Sequence, residues 1–168
     1  MEQMAKKFAG KAHFIFVYVR EAHPGEVYPP HQYDEQKMLH AQSFKERLNI
    51  ERPILVDSLY GKIHRIYGGV SNMSWIVDHT GHVAFRAAWT VAADIEAAVE
   101  EAIEVRELRR SGKSFSVYYR EMTGLRPVRD EVRTAGQQFL GGKVAEQQFD
   151  DARSARLEAN NEPGDAKK

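Results

Sequence analysis

The run Phe14-Ile15-Phe16-Val17-Tyr18-Val19, flanked by His13 and Arg20, constrains the fold more than any other stretch. Six consecutive apolar residues are far short of the ~20 needed to cross a bilayer, and they lack the 3.6-residue spacing of a surface helix. They read as a strand buried on both faces, the kind found inside α/β sheets. The run stops at Arg20-Glu21, and Pro24-Gly25 forces a turn. Glu21 and His23 therefore sit at the carboxyl end of a buried strand, where open α/β sheets bind their ligands.

The other elements follow from periodicity and punctuation. Residues 1–11 read as a helix with Met1, Met4, Ala5 and Phe8 on one side and Gly10 as its stop. No N-cap precedes Met4, so the pattern is expected to be the second half of a longer helix. After a Pro- and aromatic-rich loop over 24–33, a helix is expected from Asp34, placed to cap it, to Leu48. Its apolar face would be Met38, Leu39, Ala41, Phe44 and Leu48. Pro53 opens a short buried strand, Ile54–Val56, closed by Asp57-Ser58. A short helix carrying Leu59, Ile63, Ile66 and Tyr67 then ends at Gly68-Gly69. Trp75–Val77 and His82–Phe85, joined by Asp78-His79-Thr80-Gly81, read as a hairpin. Ala92–Arg110 reads as a long helix with Ile95, Val99, Ala102, Ile103 and Val105 inward and a basic last turn. This order predicts a mixed sheet with helices on its faces.

Beyond residue 110 the composition changes. Ser114–Tyr119 alternates and reads as an edge strand. Residues 130–159 are polar and helix-prone, with Val132, Phe139, Leu140, Val144, Phe149 and Leu157 scattered through them and Gly141-Gly142 as a break. The expected organisation is a domain over 1–110, a strand plus helical appendage over 111–159, and a disordered tail over 160–168.

Composition excludes several function classes. Lys+Arg and Asp+Glu number 24 each, so no whole-chain field attracts nucleic acid or an anionic membrane. The N-terminus has no apolar signal region, and the expected location is cytoplasmic. There is no cysteine, hence no disulfide, no thiolate metal site and no cysteine nucleophile in these residues. His23, His31 and His40 with Glu21 match no metal-ligand spacing and are expected to be solvated, so no metal and no cofactor is assigned. His79 and His82 flank a turn. Ser58, Ser71 and Ser74 lack a nucleophile elbow, and Gly68-Gly69 is a helix stop, not a phosphate loop. Tyr18, Tyr28, Tyr33, Trp75 and Trp89 either line a pocket for an aromatic substrate or pack in core and loops. Arg106, Arg109, Arg110 and Lys113 read as a solvated helix end.

Four segments together carry a family resemblance: Phe14-Ile-Phe-Val-Tyr-Val-Arg-Glu-Ala-His-Pro-Gly25, Pro53-Ile-Leu-Val-Asp-Ser58, Tyr67-Gly68, and Trp75-Ile-Val-Asp-His-Thr-Gly-His-Val-Ala-Phe85. Over about residues 1–105 the chain resembles the iodothyronine deiodinases and their bacterial redoxin-like relatives. The resemblance implies an α/β thioredoxin-like fold of the peroxiredoxin/deiodinase-like branch and thiol- or selenol-dependent oxidoreductase chemistry. It also implies an assisting role for His23, with Glu21 beside it. In that family a strand and a Cys-x-x-Cys or selenocysteine motif precede the segment matching 1–11, so the nucleophile would lie upstream of Met1. The family's cis-proline position falls near Ser71-Asn72, and neither residue is proline. Asn72 and Met73 beside it, with Tyr28, are the candidate substrate-contacting residues.

Without the preceding strand, Phe14–Val19 and Trp75–Val77 would face each other across an unpaired gap. Each unsatisfied buried backbone group there costs ~1–3 kcal/mol. The sheet is expected to close, to insert Phe115–Tyr119, or to take a strand from a protein partner or a second copy. Two functions follow: a deiodinase-like redoxin, inactive in these residues alone, or a redox-dead thioredoxin-fold binding or scaffold subunit.

Overall fold

A computed structural model describes residues 1–21, 23–70, 72–118, 120–124 and 141–161. Ser71, Tyr119, the helix-prone stretch over 130–140 and the tail over 162–168 lie outside the described residues. The architecture is mixed α/β. In chain order its elements are α1 (Glu2–Lys7), β1 (Phe16–Tyr18), α2 (Asp34–Arg47), β2 (Ile54–Val56), α3 (Lys62–Ile66), β3 (Ser74–Val77), β4 (Val83–Ala87), α4 (Ala92–Arg110) and α5 (Lys143–Asn161). The chain forms two compact units, one of Met1–Val19 with Tyr33–Arg126 and one of Arg20–Gln32 with Pro127–Lys168.

In the first unit, β1 and β2 pair in parallel with Phe16 opposite Ile54 and Tyr18 opposite Val56, and α2 makes the crossover that parallel strands require. β3 and β4 form the expected hairpin, Ser74 opposite Ala87 and Ile76 opposite Phe85. In its turn, Asp78 Oδ1 accepts the N–H groups of Thr80 (2.8 Å) and His82 (3.0 Å) while Gly81 takes φ 86°. The Thr80 hydroxyl, foremost, and these backbone donors hold the Asp78 pKa down at about 2.

One mixed sheet was the expectation. The described strands instead form two separate two-stranded sheets, because β1 and β3 each pair on one side only. The consequence shows in burial. β1 is three residues long, and Ile15, Leu55 and Val77 are half or more exposed, although the apolar pattern places them inside. All three line one cavity, which is why the described residues leave them uncovered.

The best-packed cluster joins α1 to α4: Met4, Phe8, Ile95 and Val99 are buried, with Phe14, Ile76, Phe85 and Ile103 packed around them. The ring of Phe8 stacks on Phe14 at 6.2 Å. Around this contact Lys7 reaches Glu96 and Glu100 at 2.5 and 2.7 Å, exposed pairs of small energetic weight. α4 ends in a Schellman turn: the Lys113 N–H bonds the Leu108 carbonyl and the Gly112 N–H that of Arg109, with Gly112 at φ 66°.

Helix α2 turns a different face inward from the one its apolar residues suggest. Met38, Leu39 and Leu48 are exposed, whereas Lys37 and Ala41 are buried and Phe44 packs its ring 5.2 Å from Phe16 and 5.9 Å from Tyr18. Lys37, Ala41 and Phe44 recur at i, i+4 and i+7 and so share one face; Met38 and Leu39 lie about 100–200° around the helix from Lys37. Asp34 is the first helical residue, not the cap: Tyr33 holds the cap position, and Asp34 Oδ1 accepts the Leu59 N–H at 2.9 Å. Ser114–Tyr118 forms no strand, since it pairs with no edge in this structure.

The second unit is tied together by Glu26. Its carboxylate accepts the N–H groups of Lys143 (2.6 Å) and Val144 (3.0 Å) and so caps the start of α5. Its own backbone N–H, then that of Val144, holds the Glu26 pKa below the usual glutamate value. Gly142, at φ 81°, makes the entry into α5.

Candidate functional site

The two sheets leave between them, within the first unit, a cavity of about 970 Å³. Ile15 and Val17 of the β1 segment, Leu55 of β2, Val77 of β3 and Ile95 and Val99 of α4 give it apolar walls. His64, Trp75, Asn72 and Met73 also face it.

Backbone geometry makes this cavity a gap in a sheet. The Phe16 N–H donates to the Pro53 carbonyl at 3.0 Å and the Asp57 N–H to the Tyr18 carbonyl at 3.0 Å. Phe16 and Tyr18 thus turn their main-chain groups toward β2. By the alternation of a strand, Val17 presents its N–H and C=O to the opposite edge, the one without a partner strand. β3 likewise has β4 on one side alone.

The polar wall is built from α3 and β3. At the end of β2, Asp57 is 4 % exposed. Its carboxylate accepts N–H groups from Ser58 (2.8 Å), Ile63 (2.9 Å) and His64 (2.9 Å), fixing the start of α3 to the strand end. Burial pushes its pKa up, but the bonds from His64, Ile63 and Ser58 and then the charge of Lys37 outweigh it, and the carboxyl ends below the usual aspartate value. Lys37, 1 % exposed, donates to the Ser58 carbonyl at 3.0 Å; burial lowers its pKa against the opposing pull of Asp57 and Asp34.

α3 ends at two positive-φ glycines, and a Cβ on Gly68 would stand 3.0 Å from the Met73 sulfur. The Asn72 carbonyl accepts from Thr90 Oγ1 (3.2 Å), which also meets Ser74 Oγ at 2.7 Å. The Trp75 ring meets Tyr67 in a T-shaped contact (5.3 Å between centroids), and the Arg86 guanidinium stands 5.2 Å from its centre. Two buried side-chain atoms on residues lining this cavity, His64 Nε2 and Trp75 Nε1, have no hydrogen-bond partner among the described residues. Such atoms are costly to leave unmade and favour an occupant with polar groups of its own.

Of the candidate residues read from the sequence, the cavity gathers Asn72 and Met73. Glu21, His23 and Tyr28 belong to the other unit. There Tyr28 is buried, His23 is exposed with its pKa lowered by partial desolvation, and Glu21 stands 3.9 Å from His31. The His31 side chain is 6 % exposed and His40 half-buried, so neither is the solvated histidine expected.

Sequence reasoning missed Lys37, Asp57 and His64. A helical wheel drawn through Ala41 and Phe44 would have placed Lys37 inward. An aspartate just after a strand and five residues before a helix was the available signal for the cap.

The arrangement holds no thiol, so it supplies neither the attacking nor the leaving sulfur of an exchange reaction. It offers apolar walls, unpaired strand edges, one indole donor and one imidazole nitrogen. No protein-family model, no curated protein and no solved structure matches the chain.

Proposed function

We propose that this chain is a thioredoxin-like binding module that accepts an extended polypeptide strand between β1 and β3, without redox chemistry of its own. The observation that carries the reading is the apolar cavity of about 970 Å³ flanked by two strands that, among the described residues, each lack a partner on one side. A strand laid there would meet main-chain donors and acceptors on both sides and apolar side chains above and below, the terms on which β-augmentation works. The strand–helix–strand order with a following hairpin and helix is that implied by the deiodinase-like resemblance, and it supports the thioredoxin-like assignment.

The second reading is the deiodinase-like redoxin, in which a thiol or selenol from outside these residues would enter the same gap. It is favoured by Asn72 and Met73, the candidate substrate-contacting residues beside the position where the family holds its cis-proline, which line the cavity.

A ten-residue random peptide library displayed on phage tests the binding reading. The expected result is enrichment of extended sequences with alternating apolar residues, lost in Val77→Glu. Val77 is 50 % exposed, so the fold tolerates the change. No enrichment above an unrelated protein would refute binding. Insulin reduction or peroxide consumption by the purified chain is expected at the buffer blank, and turnover above it would refute the absence of redox chemistry.

A further inference from the structure

We infer that the strand filling this gap is residues 114–118 of a second copy of the same chain, giving a reciprocal two-fold exchange; this rests on the binding reading above. Ser114-Phe115-Ser116-Val117-Tyr118 alternates, is rich in strand-forming residues, and yet pairs with nothing as a strand here. Val117 and Tyr118 are 68 % and 81 % exposed, an uncovered apolar segment on a chain that also carries an unfilled apolar gap. The lengths agree: five residues against the three of β1 and the four of β3.

Within one copy the segment is held on α4 and away from the gap. The Schellman turn at Gly112 leads the chain off α4, the Phe115 ring lies 5.9 Å from the Arg109 guanidinium, and Arg120 bonds Glu101 at 2.7 Å. Glu101 is exposed and is not among the residues lining the cavity. The tethers are a cation–π contact and an ion pair whose side chains are both more than half exposed, interactions that release easily. Alternation lets Phe115 and Val117 enter together on one face of the added strand and Ser116 with Tyr118 on the other. Its hydroxyl and carbonyl groups would supply partners of the kind that Trp75 Nε1 and His64 Nε2 lack. Because each copy holds both donor and acceptor, two exchanges close a symmetric pair without leaving an open end.

Light scattering on the full chain across micromolar concentrations reads this directly. The wild type is expected to be a dimer, and Val117→Pro a monomer with unchanged far-ultraviolet circular dichroism, since proline removes a ladder donor and residue 117 lies outside the packed core. Val77→Glu, which damages the acceptor, is also expected to be monomeric. Mixed with Val117→Pro it should form a heterodimer through the one intact pairing. A monomeric wild type at all concentrations, a dimeric Val117→Pro, or no heterodimer on mixing would each overturn self-donation. Enrichment in the peptide selection alongside a monomeric wild type would leave the binding module standing and remove only this occupant; failure of both removes both.

Discussion

Asp57→Ala attacks the residue that joins β2, α3 and α2. The carboxylate is buried, takes three N–H groups, and gives the fully buried Lys37 its main opposing charge. Losing a helix-capping side chain costs about 1–2 kcal/mol. Removing the countercharge of a buried ammonium adds to this, though by less than the ~3–5 kcal/mol of a broken contact pair, because Lys37 keeps its bond to the Ser58 carbonyl. The expected total is about 3 kcal/mol, a large share of the ~5–15 kcal/mol typical of a domain. With a urea m-value of ~2 kcal/mol/M, the unfolding midpoint falls by about 1.5 M. The cost depends on pH in a defined direction. Asp57 has a folded pKa below its unfolded one, so its contribution is fully present above the unfolded value near 3.8 and fades as pH falls through the lower folded value. Adding Lys37→Met to Asp57→Ala should restore more than half of the loss, giving a coupling of about 1 kcal/mol or more. A midpoint shift below ~0.5 M at pH 7, or strictly additive single and double variants, would refute the reasoning.

Three further outcomes are expected. Asp78→Ala should unpin the β3–β4 turn, seen as faster amide exchange at Thr80 and His82; because the Asp78 pKa lies at about 2, the wild-type advantage should persist until the pH falls toward that value. Glu26→Gln should increase exchange of the Lys143 and Val144 amides and fray the first turn of α5, with β1 and β2 unaffected. Gly68→Ala places a side chain at φ 114° and against Met73. It should cost about 1–2 kcal/mol and lower the melting temperature by roughly 3–6 °C.

The parts of this fold that were legible in the sequence are those set by local chemistry. Gly68-Gly69 ends α3, Asp78 to Gly81 makes the turn, and Ile95 and Val99 point inward because spacing along one helix decides their face. The inward face of α2 was not legible, because it is chosen by what lies opposite: the rings of Phe16 and Tyr18, and a carboxylate that can hold Lys37. The length of β1 was overread for the same reason. Six apolar residues announce a strand, but how many of them pair depends on a neighbour, and among the described strands that neighbour is β2 alone. Of the candidate site residues, Asn72 and Met73 line the cavity, whereas Glu21, His23 and Tyr28 fall in the other unit. That division is a long-range outcome that no local pattern encodes.

The carboxylate of Glu26 also sets a timetable for synthesis. Its partner Lys143 follows it by 117 residues. At a ribosomal rate of ~5–20 residues per second, the loop over 20–32 waits roughly 6–23 s for the helix it caps. Through that interval β1, α2 and β2 can already assemble, so the second unit is closed last, after the strands of the first have paired.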